Sequence, residues 1–147
     1  HHHLRKFLKR HNPVAEIIEC NHVPKYLQEI TGPSKQELSY LKGKKVASLS
    51  AIAVPESFNR YLRQLGATIV YQKHFADHHR YHSKELAEFG KAAKAAGAEL
   101  IMTTEKDAVR LPELPDGILP TYFLRVEILI LKGEEAFNRC VAQICLG

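Results

Sequence analysis

KKVASLSAIAVPESFNRYLRQLGATIVYQKHF, residues 44–75, decides the fold. KKVASLSAIA (44–53) is a short, largely apolar run without a helical period, and reads as a buried strand. Pro55 then opens PESFNRYLRQLG (55–66). Proline suits a first helical turn, where its missing N–H would have no partner anyway, and Gly66 suits the residue past the last turn. Phe58, Tyr61, Leu62 and Leu65 recur at helical spacing, which gives that helix one apolar stripe. ATIVYQKHF (67–75) returns as a strand. Strand, helix and strand joined by links this short predict a parallel βαβ unit.

The pattern continues on both sides. Downstream, Ser83 reads as the N-cap of a helix, SKELAEFGKAAKAAG (83–97), stopped by a glycine. AELIMTTE (98–105) reads as a strand, 112–120 as a turn rich in Pro and Asp, TYFLRVEILIL (121–131) as a strand and EEAFNRCVAQICL (134–146) as a closing helix. Upstream, VAEIIEC (14–20) alternates like a strand, and SKQELSYLKG (34–43) reads as a short helix or turn ending on Gly43. The whole predicts an α/β fold: a three-layer sandwich with a mostly parallel sheet, Rossmann-like, in a single domain over 14–147. Residues 1–3, HHH, resemble a purification-tag remnant, and 4–13 read as a linker or a helix end.

Composition narrows the function classes. At 147 residues, 45% hydrophobic and 25% charged, the chain has the size and make-up of one globular domain with a core of its own. It lacks an apolar run of about 18 residues, so no segment reads as a membrane span. The start, HHHLRKFLKRHNP, is too charged for a signal peptide. Cys20, Cys140 and Cys145 are odd in number and lack CxxC spacing, so they read as free thiols of a reducing compartment, with Cys140 and Cys145 expected to pack inside the closing helix. The net charge of +5 gathers at Arg5, Lys6, Lys9 and Arg10 and at Lys42, Lys44 and Lys45. Such clusters favour an anionic partner, or are a plain solvated surface. Aromatic residues are not interleaved with them, so a nucleic-acid stacking platform is not indicated.

In open α/β sheets, ligands bind beyond the carboxyl ends of the strands. SAIAVPES (50–57), HFADHHRYHS (74–83) and TTEKDAVRLP (103–112) all fall there. The second holds His74, Asp77, His78, His79 and His82. His78 and His82 are four apart and would share a helix face as metal ligands, but the helix is expected to start only at Ser83, so no metal site is assigned. DHH is also the signature triplet of a class of manganese phosphoesterases, which need several carboxylates for two metals. Asp77, Asp107 and Asp116 are the only aspartates, which excludes that reading. An acid–base role needs less: one imidazole titrating near neutrality and a carboxylate beside it. A polar surface loop remains the alternative. Glu105, Lys106 and Asp107 either pair with each other or meet a ligand's phosphates and hydroxyls. LKGKKV (41–46) lacks the earlier glycine and the following Ser or Thr of a GxxxxGKS/T phosphate loop, and GxGxxG is absent.

KGKKVASLSAIAVPESFNRYLRQLGA, FADHHRYHSKEL and TTEKDAVRLP, in this order and spacing, resemble the C-terminal half of the tetraacyldisaccharide 4'-kinases, the lipid A 4'-kinases of Gram-negative bacteria. HNPVAEIIECNHVPKYL and the last strand and helix are similar more loosely. The resemblance implies transfer of the γ-phosphate of ATP, with Mg2+, to the 4'-hydroxyl of a tetraacyldisaccharide 1-phosphate at the cytoplasmic face of the inner membrane. It implies that the P-loop and the membrane-binding elements lie in an N-terminal half outside these residues. That half, the lipid A precursor and the inner-membrane surface are then the partners, no cofactor is expected on this chain itself, and the chain alone is expected to be inactive. Within the FADH motif the resemblance makes His78, with Asp77, the acid–base group, His79 a neighbour, and Glu105, Lys106 and Asp107 site-lining residues. One departure stands out: Ala51 and Ala53 occupy a loop that is glycine-containing in the family. The competing readings are a non-enzymatic module that binds an anionic ligand or partner, and a metal-dependent hydrolase centred on the histidine loop.

Overall fold

A computed structural model describes residues 2–77 and 79–146, with only the backbone at His2 and Leu146. His78 lies outside the described residues. The helices are α1 (His2–His11), α2 (Pro55–Gln64), α3 (Ser83–Ala95), α4 (Glu105–Ala108) and α5 (Glu134–Leu146). The strands are β1 (Glu19–Glu29), β2 (Lys35–Gln36), β3 (Lys45–Ser50), β4 (Thr68–His74), β5 (Leu100–Thr104) and β6 (Thr121–Lys132), in the sheet order β2-β1-β6-β5-β3-β4. β3 runs parallel to β4 and β5, and β5 parallel to β6, while β1 and β2 are antiparallel. The expected α/β fold with a mostly parallel sheet is therefore present.

The chain forms two compact units. Residues 24–126 make the larger. Its layering follows from the alternation of strand side chains. Val46, Leu100, Met102, Tyr122 and Leu124 cluster with Phe58 and Leu62 of α2. Ala47, Leu49 and Ile101 cluster with Leu86, Phe89 and Ala93 of α3. Neighbouring residues of one strand thus serve different helices, which is the three-layer arrangement, and both faces of β3 and β5 are buried as parallel strands require. Gly66, at φ +89°, turns α2 into β4, where an added Cβ would sit 3.2 Å from the Lys42 backbone.

Residues 1–23 and 127–147 make the second unit. Arg5 pairs with Glu19 at 2.8 Å, and Arg139 with Glu16 at 3.1 Å. Lys9 Nζ donates to the carbonyls of Pro13 and Ala15. Leu4, Phe7 and Leu8 of α1, and Phe137, Val141 and Ile144 of α5, are exposed.

Several expectations are corrected. The first strand begins at Glu19, not Val14, and runs through Pro24. It pairs with β2 only at Leu27 and Gln28, so proline's missing N–H takes no bond from that pairing. SKQELSYLKG divides into the two-residue β2 and a 3-10 turn over Leu38–Leu41. Of the two readings for residues 4–13, linker or helix end, residues 4–11 are helical. Cys140 and Cys145 are exposed rather than packed, because among the described side chains of α5 only Ala136 is buried.

Candidate functional site

Register brings the three loops together. Ser50 lies opposite His74, and Leu49 opposite Thr103, so the carboxyl ends of β3, β4 and β5 are side by side. Chain order reverses between β3 and β5, the place where open sheets usually admit a ligand. Here a buried side chain links the segments that follow β3 and β5. α4 carries the fully buried Asp107, whose Oδ2 accepts from the Ala51 N–H at 3.2 Å and from Thr104 Oγ1 at 2.6 Å. Thr104 Oγ1 accepts in turn from the Asp107 N–H, capping the short helix. The Ala51 amide, which a glycine-containing loop could turn toward a phosphate, is thus held inside the fold.

A second polar chain lies under α2. Ser48 Oγ donates to Asn59 Oδ1 at 2.6 Å, and Asn59 Nδ2 donates to Gln72 Oε1 at 3.0 Å and toward His74 Nε2 at 3.4 Å. With Nε2 accepting, His74 presents Nδ1–H to Ser50 Oγ, 3.0 Å away. Both ring nitrogens of His74 are therefore used to pin the end of β4. Ser48, Ser50 and Asn59 are fully buried, so the α2 side of the sheet turns polar toward this edge.

The segment between β4 and α3 is folded on itself. Phe75 N–H continues the ladder to Ser50 O at 2.9 Å. The Phe75 and His79 rings stack, 4.3 Å between centroids and 15° between planes, and Tyr81 meets both edge-on at 5.3 Å. His79 Nε2 donates to Glu85 Oε2 at 3.0 Å, and the same oxygen takes the His82 N–H at 2.9 Å. These two bonds, the His79 side chain first, hold the Glu85 carboxyl below its ordinary pKa. Tyr81 is buried, and its hydroxyl pKa is pushed well up, first by desolvation and then by the Asp107 carboxyl nearby, with Arg110 opposing.

Of the residues singled out by sequence, His79 and Asp107 have partners inside the fold. Asp77 and Lys106 are exposed, and Glu105 is half-buried in an ion pair with Arg125. His78 lies outside the described residues. Among the described residues, no group of three His, Cys, Asp or Glu side chains stands close enough to hold a metal. Sequence reading missed Asn59, Tyr81 and Glu85. The signal for Glu85 was present: the pair of a cap and a glutamate three residues later is His82 and Glu85, so His82 is the N-cap and Ser83 the first helical residue.

Comparison with known proteins bears on what this edge serves. The family model described as Tetraacyldisaccharide-1-P 4'-kinase (LpxK) matches residues 3–145. A tetraacyldisaccharide 4'-kinase of Syntrophus aciditrophicus is 38% identical over 93% of this chain and 36% of its own length. One from Anaeromyxobacter sp. (strain K) is 42% identical over 82% of this chain and 32% of its own. A crystal structure of LpxK from Aquifex aeolicus in complex with ATP superposes over 87% of this chain and 38% of that one, with a TM-score of 0.49 and 17% identity. The chain thus spans about a third of the length of the curated relatives it matches. With nearly every residue inside the matched span, the chain belongs to the tetraacyldisaccharide-1-P 4'-kinase family.

Proposed function

We propose that this chain is the C-terminal domain of an ATP-dependent lipid kinase that phosphorylates the 4'-hydroxyl of tetraacyldisaccharide 1-phosphate in lipid A biosynthesis. The observation that carries this reading is the family match over residues 3–145, with HFADHHRYHS at the carboxyl edge of the parallel strands. Mg2+-ATP supplies the phosphoryl group. The residues described here do not fit a site for it. The Ala51 amide is taken by Asp107, Glu105 by Arg125, and no three metal-ligating side chains converge among the described residues. Nucleotide and metal are assigned to the P-loop domain that the family resemblance implies outside these residues. The exposed apolar faces of α1 and α5 support such a neighbour, since about 25 cal/mol per Å² favours covering them.

The part assigned to this chain is the proton. His78, with Asp77 beside it, accepts the proton of the 4'-hydroxyl as its oxygen attacks. His78 takes this role from its place in the FADH motif that the family resemblance carries, while His74 and His79 are engaged with Ser50 and Glu85. Glu105, Lys106 and Asp107 support the same edge, Asp107 from inside. The polypeptide works at the cytoplasmic side of the inner membrane as a peripheral protein. No helix among the described residues is long and apolar enough to cross a membrane. The test is phosphorylation of tetraacyldisaccharide 1-phosphate by Mg2+-ATP. The polypeptide carrying this chain with its P-loop domain is expected to turn over, and the 147 residues alone are not. Turnover by the 147 residues alone would overturn the division of labour.

A further inference from the structure

Two cations stand where β5 and β6 end. Thr104 lies opposite Leu124 in the parallel ladder, so Glu105 and Arg125 leave it side by side. Tyr122 and Leu124 belong to the α2 cluster, so Arg125 emerges on the other face of the sheet, the face that Ile101 turns toward α3. There Arg125 Nη1 donates to Glu105 Oε1, with 39% of the arginine side chain and 35% of the glutamate side chain exposed. Among the described residues the guanidinium makes no other hydrogen bond, so the rest of its planar fork of N–H donors has no protein partner. Lys106, next in the chain, is exposed and has no counter-ion among the described residues. Asp107 does not compensate it, being buried and bonded to Ala51 and Thr104. Two accessible cations thus share one accessible carboxylate, at the end of the sheet where open α/β folds bind ligands. A guanidinium fork matches two oxygens of a phosphate, and an exposed ion pair is cheap to exchange.

We propose that Arg125, with Lys106 beside it, binds the 1-phosphate of the lipid acceptor and so selects a phosphorylated disaccharide. The subsite rests on the kinase reading above. In that reading the phosphates of ATP are held outside these residues. The 1-phosphate is the acceptor's own anion, is not transferred, and needs cations of its own. Glu105 holds the fork in the free protein and yields it to the phosphate.

The experiment uses the full kinase polypeptide with Mg2+-ATP and two acceptors, tetraacyldisaccharide 1-phosphate and the same disaccharide without its phosphate. It measures kcat, KM for each substrate and thermal stability. Arg125→Ala is expected to raise KM for the phosphorylated acceptor by about tenfold or more, with KM for ATP within about threefold. Removing the phosphate from the acceptor is expected to cost wild type a similar factor in kcat/KM, and Arg125→Ala less than about threefold. Arg125→Met keeps the aliphatic stem and is expected to show the same rise if Arg125→Ala does not fold. Glu105→Gln removes the competing carboxylate charge and is expected to leave that KM unchanged or lower it. Wild-type KM in Arg125→Ala, an equal loss toward both acceptors, a rise in KM for ATP alone, or a rise in Glu105→Gln as large as in Arg125→Ala would overturn the subsite while leaving the kinase reading in place. A wild-type polypeptide that turns over neither acceptor would overturn the kinase reading, and the subsite with it.

Discussion

Asp107 shows how little of a charged triplet's meaning lies in its charge. TTEKD offers three ionisable residues in a row, and they take three environments: a half-buried ion pair for Glu105, solvent for Lys106, and the interior for Asp107. The spacing carried a hint, since Thr104 and Asp107 stand three apart as in a capping pair. The bond to Ala51, 56 residues away in sequence, was not legible at all. Asp107→Ala would leave the Ala51 amide and the Thr104 hydroxyl without an acceptor. Each such donor costs about 1–3 kcal/mol, so urea unfolding should show a loss on the order of 2–6 kcal/mol. A loss under about 0.5 kcal/mol would mean the bonds are not made. Tyr81 gives a second check. Its folded pKa is raised above the ordinary 10.0, so the stability it contributes is complete below that pH and is lost as pH climbs toward the folded value. Alkaline destabilisation beginning near the ordinary value should be smaller in Tyr81→Phe than in wild type when unfolding is followed from neutral pH upward.

The strands and helices of 44–104 were legible because pattern and end signals agree there. β3, α2 and β4 fall where the apolar runs, Pro55 and Gly66 put them. The errors come where one signal stood alone. Alternation in VAEIIEC suggested a strand, yet Asn12 claims the Ala15 N–H with both its carbonyl and its side chain, and that local turn delays β1 to Glu19. Ser83 reads as the cap because serine is a common one, although the glutamate three residues past His82 fixes the true position. The turn from β6 into α5 invites a direct test. Gly133 has φ +86°, and a Cβ there would lie 2.9 Å from Ile17 O. Gly133→Ala meets both the left-handed strain and a backbone clash, and should destabilise by about 1–3 kcal/mol in thermal melts. In the larger unit, Leu62→Ala should cost about 2–5 kcal/mol by urea unfolding, because Leu62 is fully buried in the α2 cluster.

The two units differ in what holds each of them. Residues 24–126 contain both hydrophobic clusters, whereas α1 and α5 turn leucines, phenylalanines and valine outward and are tied locally by ion pairs such as Arg5–Glu19. Exposed pairs of that kind are worth about 0–1 kcal/mol. Hydrogen exchange of the isolated 147 residues should therefore be slowest in β3 and β5 and faster by orders of magnitude in α1 and α5; equal protection would contradict this. The sequence made the three-layer unit visible, because its core pattern is self-contained. It did not reveal that Leu4, Phe7 and Leu8 of α1 and Phe137, Val141 and Ile144 of α5 are exposed, because apolar residues at helical spacing look the same buried or not. The edge where β3, β4 and β5 end is where the proposed chemistry stands or falls. The most direct measurement is turnover of Mg2+-ATP and tetraacyldisaccharide 1-phosphate by the full kinase polypeptide, wild type against His78→Ala, with folding checked by circular dichroism. A fall in kcat of about 10²-fold or more with the fold intact is the expected result. Near-wild-type turnover would contradict the account and leave HFADHHRYHS a structural loop.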